Sequence, residues 1–510
     1  MKSIKSHKSN TRIKNETNLI ENLTKGNLKS IFINQEKNFS NKHGFHYRSS
    51  AQFYFRVDET LNIKTYLILF NYFKIKNQNE VAICVTLRDS KGDCIERKHL
   101  RFDKKSVIIV DGEFWNVKQH IGSVEVEYFS LTNLVIPYAA VIGVYETNLG
   151  ISYVHTYSRC YSKHEMESGF TVMEGCESNW TIRDTNEVES FTILHNGFLK
   201  VKEQVINLKI ISESGRVLEQ EYNLSSLNPY EIVEIVPQKI FKNLSNWLNN
   251  EQANCSIQFK INGGFTRTLV GNRTKINSDM QVTHSNFAYN HHKTDFIDTD
   301  KGFMPYPNFD IKNGQINIYP DMPSGKYFID YEESKNSQKL FSSGEYISYK
   351  VEKKQNFDIL LGKLDSELPS RIPIGFSGNS ANASKEILPF EISLGILSKA
   401  RPKKRFWWGP IGNSKTKNSL VLGLLKDIYG EHNDEKIIIR IFNDQNNEYK
   451  ELIYSSDDIK KMNYRIDLEK DNLKEILKFG MYTVFSNYPG FFVYSLTENK
   501  EGSIAIEHGF

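Results

Sequence analysis

The segment VAICVTLRDSKGDCIERKHLRF, residues 81–102, contains two runs of alternating apolar and polar residues on either side of a Ser-Lys-Gly-Asp turn. Alternation with a period of two gives a strand one inward and one outward face. A short polar turn with glycine closes two such strands into a hairpin. The design recurs in INLKIISESGRVLEQEYNL (206–224) and in IIIRIFNDQNNEYKELIYSS (437–456). A third strand follows the first two copies, SVIIV at 106–110 and EIVEIV at 231–236.

The copies also end alike. ISYVHTY (151–157), MQVTHSN (280–286) and IAIEHGF (504–510) are alternating strands with a histidine near the end: His155, His284 and His508. From hairpin start to histidine the three spans are similar, about 70–80 residues, as repeated units require. RIPIGFSGNSANASKEILPFEISLG (371–395) resembles RTLVGNRTKINSDMQVTHS (267–285) without the histidine, and reads as a diverged further copy. The openings match too: AQFYFRVDET, ESNWTIRDTN and KRFWWGPIGN each set aromatics beside polar residues before an apolar strand.

Units of about 110–130 residues with many short strands suit β-sandwiches rather than propeller blades, which repeat at about 40–50 residues. The expected fold is all-β: tandem, immunoglobulin-like β-sandwich domains with few short helices behind a disordered N-terminal tail. The boundaries are 1–44 for a basic tail, then 45–158, 159–287, 288–398 (the diverged repeat) and 399–510. The best helical patterns are FKNLSNWLNN (241–250) and DNLKEILKFG (471–480).

Composition agrees. The chain of 510 residues is too long for one core. Aromatics reach 12%, with 32 Phe and 26 Tyr, a bias towards pleated surfaces. Sixty-five basic residues against 61 acidic leave a net charge of only +4, so no nucleic-acid partner is expected. There is no apolar run long enough for a membrane span, and the N-terminus has no signal-peptide core. The default location is therefore cytoplasmic. Five cysteines without a CxxC pair point away from a disulfide framework or a cysteine zinc knuckle.

The chemistry-bearing stretch is ISYVHTYSRCYSKHE (151–165). After His155 come Tyr161, His164 and Glu165. After His284 come Tyr289, His291, His292 and Asp295. The two segments read as related loops at one end of neighbouring sandwiches, where binding residues commonly sit. Trp180, Arg183 and His195 open the second domain and are candidates for the same seam. The ordinary alternative is packing, with Trp180 in a core, Arg183 in an ion pair and the repeated histidines part of the unit's own construction. Imidazole and carboxylate bind metals, but the spacings match no compact metal motif. No metal and no cofactor is expected; His155, His164, His284 and His292 are the ligands if there is one. In ARPKKRFWWGPIGNSKTKNS (400–419) a basic cluster meets aromatics, which reads as a linker whose Trp plugs the next core. Its GNSKT lacks P-loop spacing, and neither a nucleophile elbow nor a dinucleotide fingerprint occurs.

The expected function is non-catalytic recognition. The partner is a glycan or a protein surface, held at the seam of the first two domains by aromatic faces and planar polar groups. Two alternatives stand beside it: a metal-assisted or carboxylate-driven hydrolase of carbohydrate, and a structural or assembly protein of a virion or surface array.

Overall fold

The computed structural model describes residues 46–167, 179–286, 301–305, 310–330, 338–351, 358–364, 368, 372–394, 404–433 and 436–510. The N-terminal tail lies outside the described residues. Antiparallel strands dominate the rest, and no described helix exceeds six residues. No described helix is long and apolar enough to cross a membrane.

The first unit has eight principal strands: β1 Arg48–Asp58, β2 Lys64–Phe70, β3 Ala82–Asp89, β4 Cys94–Arg101, β5 Val107–Val110, β6 Gln119–Phe129, β7 Val141–Glu146 and β8 Ile151–His155. They form two sheets, ordered β1-β6-β3-β4 and β5-β2-β7-β8. A short strand, β9 Ser158–Cys160, lies beside β1.

The second unit contains β10 Asn179–Ile182, β11 Val188–His195, β12 Gln204–Ser212, β13 Val217–Leu224, β14 Ile232–Ile235, β15 Ala253–Gln258, β16 Gly264–Thr266, β17 Leu269–Thr274 and β18 Met280–His284. Its sheets are β10-β15-β12-β13 and β14-β11-β17-β18. β16 pairs with β9, so a strand of the second unit extends a sheet of the first.

The third unit runs through β19 Lys301–Pro305, β20 Ile311–Ile318, β21 Lys326–Asp330, β22 Lys339–Ser342, β23 Ile347–Val351, β24 Asp358–Lys363, β25 Ile374–Ser380 and β26 Phe390–Leu394. The fourth runs through β27 Phe406–Ile411, β28 Lys417–Leu424, β29 Ile437–Phe442, β30 Tyr449–Tyr454, β31 Arg465–Leu468, β32 Gly480–Ser486, β33 Phe491–Glu498 and β34 Ile504–His508.

Setting β9 and β16 aside, all four units share one wiring: first strand beside sixth, then third and fourth; fifth beside second, then seventh and eighth. The constant-type immunoglobulin order instead sets the first strand beside the second. These are β-sandwiches with a pairing order of their own. Alternation builds them as expected: Ile83, Val85 and Leu87 of β3 are buried in the first core with Val124, Val126 and Tyr128 of β6. The helical pattern at 241–250 contracts to Leu244–Leu248, because Asn243 and Asn249 at its two ends take left-handed backbone. The pattern at 471–480 yields only Lys470–Leu473.

The eighth strand is the edge of its sheet in every unit, and the four edges face one another. β8 packs on β18 and β34, and β26 packs on β18 and β34. The units thus close into a ring with their last strands at the hub. Trp408 and Phe442 of the fourth unit meet Phe70 of the first at ring centroid distances of 5.8 and 5.4 Å. Thr181 meets Tyr319 across units two and three at 3.1 Å, and Tyr494 donates to the Pro305 carbonyl across units three and four at 2.5 Å.

The first hairpin turn is shaped by its neighbour. Gly92 has φ +91°, and a Cβ there would stand 2.1 Å from the Pro229 carbonyl oxygen of the second unit. Gly215, in the matching turn of the second unit, has φ +80° with nothing within 4 Å. Both glycines to alanine incur the left-handed backbone cost of about 1–2 kcal/mol. Only Gly92→Ala must also part the first two units, so it should destabilise the chain measurably more than Gly215→Ala in denaturant unfolding. Equal losses would contradict this account of the contact.

Candidate functional site at the seam of the first two sandwiches

The inward faces of β1, β3 and β6 are apolar, so alternation sends Arg48, Ser50, Gln52, Thr86, Arg88, Glu125 and Glu127 to the outer face of that sheet. A face of this kind usually meets water. In this chain most of it is covered by β9, the helix Lys163–Glu167 and a loop of the second unit. Arg48, Arg88, Glu125, Arg159 and Glu165 are all buried.

Arg48 is the centre of the resulting network. Its Nε donates to Glu127 at 2.7 Å, Nη2 to Glu125 at 3.0 Å, and Nη1 to Glu165 and to the Cys160 carbonyl at 2.8 Å each. Arg88 Nη2 donates to the other oxygen of Glu125 at 3.1 Å, and Arg159 pairs with Glu165. Burial pushes the Glu125 carboxyl up, and neighbouring Glu127 adds to it against the pull of Arg48 and Arg88. Burial also acts upward on Glu165, but Arg159 and Arg48 outweigh it and hold that carboxyl below its usual range.

Tyr230 of the second unit covers one end of the network. Its ring lies over the Arg88 guanidinium at 3.7 Å, and it holds a left-handed φ of +64°. Beside it opens a cleft of about 860 Å³ with Arg88, Glu125 and Glu127 in its wall and Arg97, His99 and Arg101 of β4 on its rim. On β4 these three rim residues are exposed.

The candidates from the sequence fall into several settings. Tyr161 and Glu165 belong to the seam: Tyr161 is buried, with the Arg159 guanidinium 5.1 Å from its ring. His195 is fully buried and reaches from the second unit to the Tyr157 hydroxyl of the first at 3.1 Å. Trp180 lies in the core of the second unit. Arg183 faces the third unit, donating to Ser377 at 3.0 Å, and so stands apart from the first seam. Tyr289, His291, His292, Asp295 and the side chain of His164 lie outside the described residues. Trp407 plugs the fourth core, whereas Trp408 packs against the first unit.

His155 and His284 come together at the hub rather than at this seam, and His508 joins them. The His155 ring lies 4.4 Å from His284 and 5.1 Å from His508, centroid to centroid. Between His155 and His508 sits Glu507, whose carboxyl burial pushes up to about 7. Burial lowers His508 to about 3 and takes His155 and His284 well below the ordinary imidazole value.

Sequence reasoning did not find Arg48, Arg88, Glu125, Glu127, Arg159 or Tyr230. Outward charges on alternating strands look like a solvated face, and nothing local marks that a neighbouring unit covers them.

No family model matches the chain, and no curated protein matches it. A solved structure described as a tetra-tandem repeat in the extending region of a large adhesion protein is similar to it at 8% identity, over 90% of this chain and 98% of that one. The TM-score is 0.09, at which the likeness carries no argument about either fold or function.

Two outcomes follow from the seam. Removing one partner of a buried ion network leaves uncompensated charge and costs about 3–5 kcal/mol. Arg48→Met, which leaves Glu127 without its arginine and Glu125 and Glu165 with one arginine each, should lower unfolding free energy by that order. A loss under about 1 kcal/mol would mean the network is solvated. For His195, burial lowers the pKa to about 3, from an ordinary value of about 6.5. The stabilisation from keeping it neutral is complete above about pH 6.5 and is lost as pH falls towards 3. His195→Gln should remove about one proton's worth of slope from stability against pH across that window; an unchanged slope would refute the assignment.

Proposed function

We propose that the chain is a non-catalytic recognition protein. Its ring of sandwiches is a rigid platform, and its ligand surface is the cleft at the seam of the first two units. The observation that carries this reading is the composition of that cleft. Exposed Arg97, His99 and Arg101 stand in a row on β4 beside a wall of buried, mutually paired Arg and Glu. Buried ion pairs contribute little net stability compared with apolar packing, so their concentration at an open cleft supports a binding role. Planar guanidinium groups suit bidentate contact with carboxylates and hydroxyl pairs, which favours a glycan bearing acidic sugars. The arginine and glutamate groups of the wall are held in place by one another, as a site with little reorganisation on binding needs.

A second reading, that of an assembly protein, has its own support. Among the described residues the fourth strand of each unit is a sheet edge, and each carries an exposed apolar residue: Ile95, Val217, Leu340 and Ile453. Open edges with apolar side chains are templates for pairing with another chain.

A glycan array probed with the full chain separates the two. The recognition reading expects binding to carboxylated glycans that falls at least tenfold in Arg97→Ala/Arg101→Ala, whose exposed positions leave the fold intact. Absence of binding to every glycan, together with large particles in light scattering, would replace recognition with assembly.

A further inference from the structure

The hub histidines occupy one repeated position. By strand register His155 pairs with Ile142, His284 with Leu269 and His508 with Tyr494; in the third unit Ile374 pairs with Leu394. Leu394 is the counterpart of the three imidazoles, and it is buried among apolar side chains. The sandwich therefore does not require histidine at this place. Three imidazoles on three different units, two of them flanking one carboxylate and the third packed on His155, need another explanation.

We propose that His155, His508 and Glu507 form a binding site for a divalent transition metal of the zinc class, which clasps the first unit to the fourth and so locks the ring. One ligand atom from each residue lies within 4.8 Å of the other two. His155 Nδ1 stands 3.3 Å from Glu507 Oε2, and His508 Nε2 stands 3.8 Å from Glu507 Oε1. A tetrahedral ion with bonds of about 2.0–2.2 Å holds its ligands roughly 3.3–3.6 Å apart, so the His155–Glu507 separation already fits, and the His508 ring must move towards the same carboxylate oxygen to complete the set. Two imidazoles and one carboxylate form a donor set suited to zinc and its neighbours rather than to calcium or magnesium.

The carboxylate is already oriented. Backbone N–H groups of His155 and His508 donate to its two oxygens at 3.0 and 2.9 Å. Fixing a ligand by hydrogen bonds from the surrounding shell is characteristic of metal sites. Entry is available from the rim, because the side chains of His155 and His508 are 13% and 22% exposed while Glu507 is buried. His284 forms the inner wall. Its Nδ1 meets the Ser285 carbonyl at 2.9 Å, and Arg267 Nη1 lies 3.4 Å from its Nε2. That contact leaves the fourth metal position to water. It also brings a positive charge to the same corner, which opposes a dication, so the Glu507 carboxylate is the ligand that must offset it.

The test uses the full chain, stripped with chelator and titrated with zinc and, separately, with cobalt(II). One zinc per chain is expected, with a rise in melting temperature, and the cobalt form should show the visible bands of a tetrahedral site with nitrogen ligands. Glu507→Gln keeps the side chain's shape and should weaken zinc at least tenfold. His508→Gln should do the same, and both should abolish the thermal shift. Absence of stoichiometric metal in the wild-type chain would overturn the proposal. Equal affinity in the wild type and both variants would overturn it as well, since the metal would then be bound elsewhere. Should a variant fail to fold, the cobalt spectrum of the wild type still decides.

Discussion

The structure depends on hiding four sheet edges. In each unit the eighth strand ends its sheet with unpaired backbone groups, an arrangement that invites pairing with other chains. Turning the four edges towards one another buries them without further strands. Side chains then satisfy what the ladders do not: Ser152 accepts from the Val282 amide, Ser503 from the Ile151 amide, and Gln281 donates to the Ile151 carbonyl and to Ser503. Once the edges must meet, the order of units around the ring and the contact between first and fourth follow. Away from the hub the fourth and fifth strands of every unit also end their sheets.

Within this arrangement the four junctions have different chemistry. Units four and one join largely through aromatic packing of Phe70, Tyr72, Trp408 and Phe442. Lys478 reinforces that junction by pairing with Asp111 and Glu113. Units one and two join through a shared sheet, a buried Tyr157–His195 contact and the arginine–glutamate network. Aromatic junctions gain chiefly from area removed from water, a term without direction. An ionic junction holds only if every charge finds its partner, so it fixes relative position more tightly than it stabilises. The seam is accordingly the junction where two units are held in one geometry beside an open cleft.

Much of the fold was legible because its signals are local. The 81–102 hairpin, its copies and the terminal histidines depend on period-two alternation and on turn chemistry, both written within about 20 residues. The closing of the ring was not legible: Phe70 and Trp408 lie in strands that look like any other, and no short-range pattern says that they touch. The histidines show the boundary well. Their shared strand position was readable, and so was the lack of one in the third unit. That His155, His284 and His508 meet at one point was not, since it follows from four strands sharing an axis.

The same reasoning explains why the polar network escaped notice. Arg48, Glu125 and Arg88 occupy outward positions of β1, β6 and β3, and in an isolated sandwich they would be solvated and interchangeable with other charges. Only the covering elements, namely β9, the helix Lys163–Glu167 and Tyr230 at its left-handed φ, turn them into buried, mutually constrained groups. The first two of those covers follow directly on β8, and the third comes from the next unit. The segment after His155 thus acts at the seam through Arg159, Tyr161 and Glu165, while His155 itself acts at the hub. A stretch that reads as one cluster in sequence is divided between two sites because the chain leaves the hub at the end of β8 and crosses to the outer face of the neighbouring sheet.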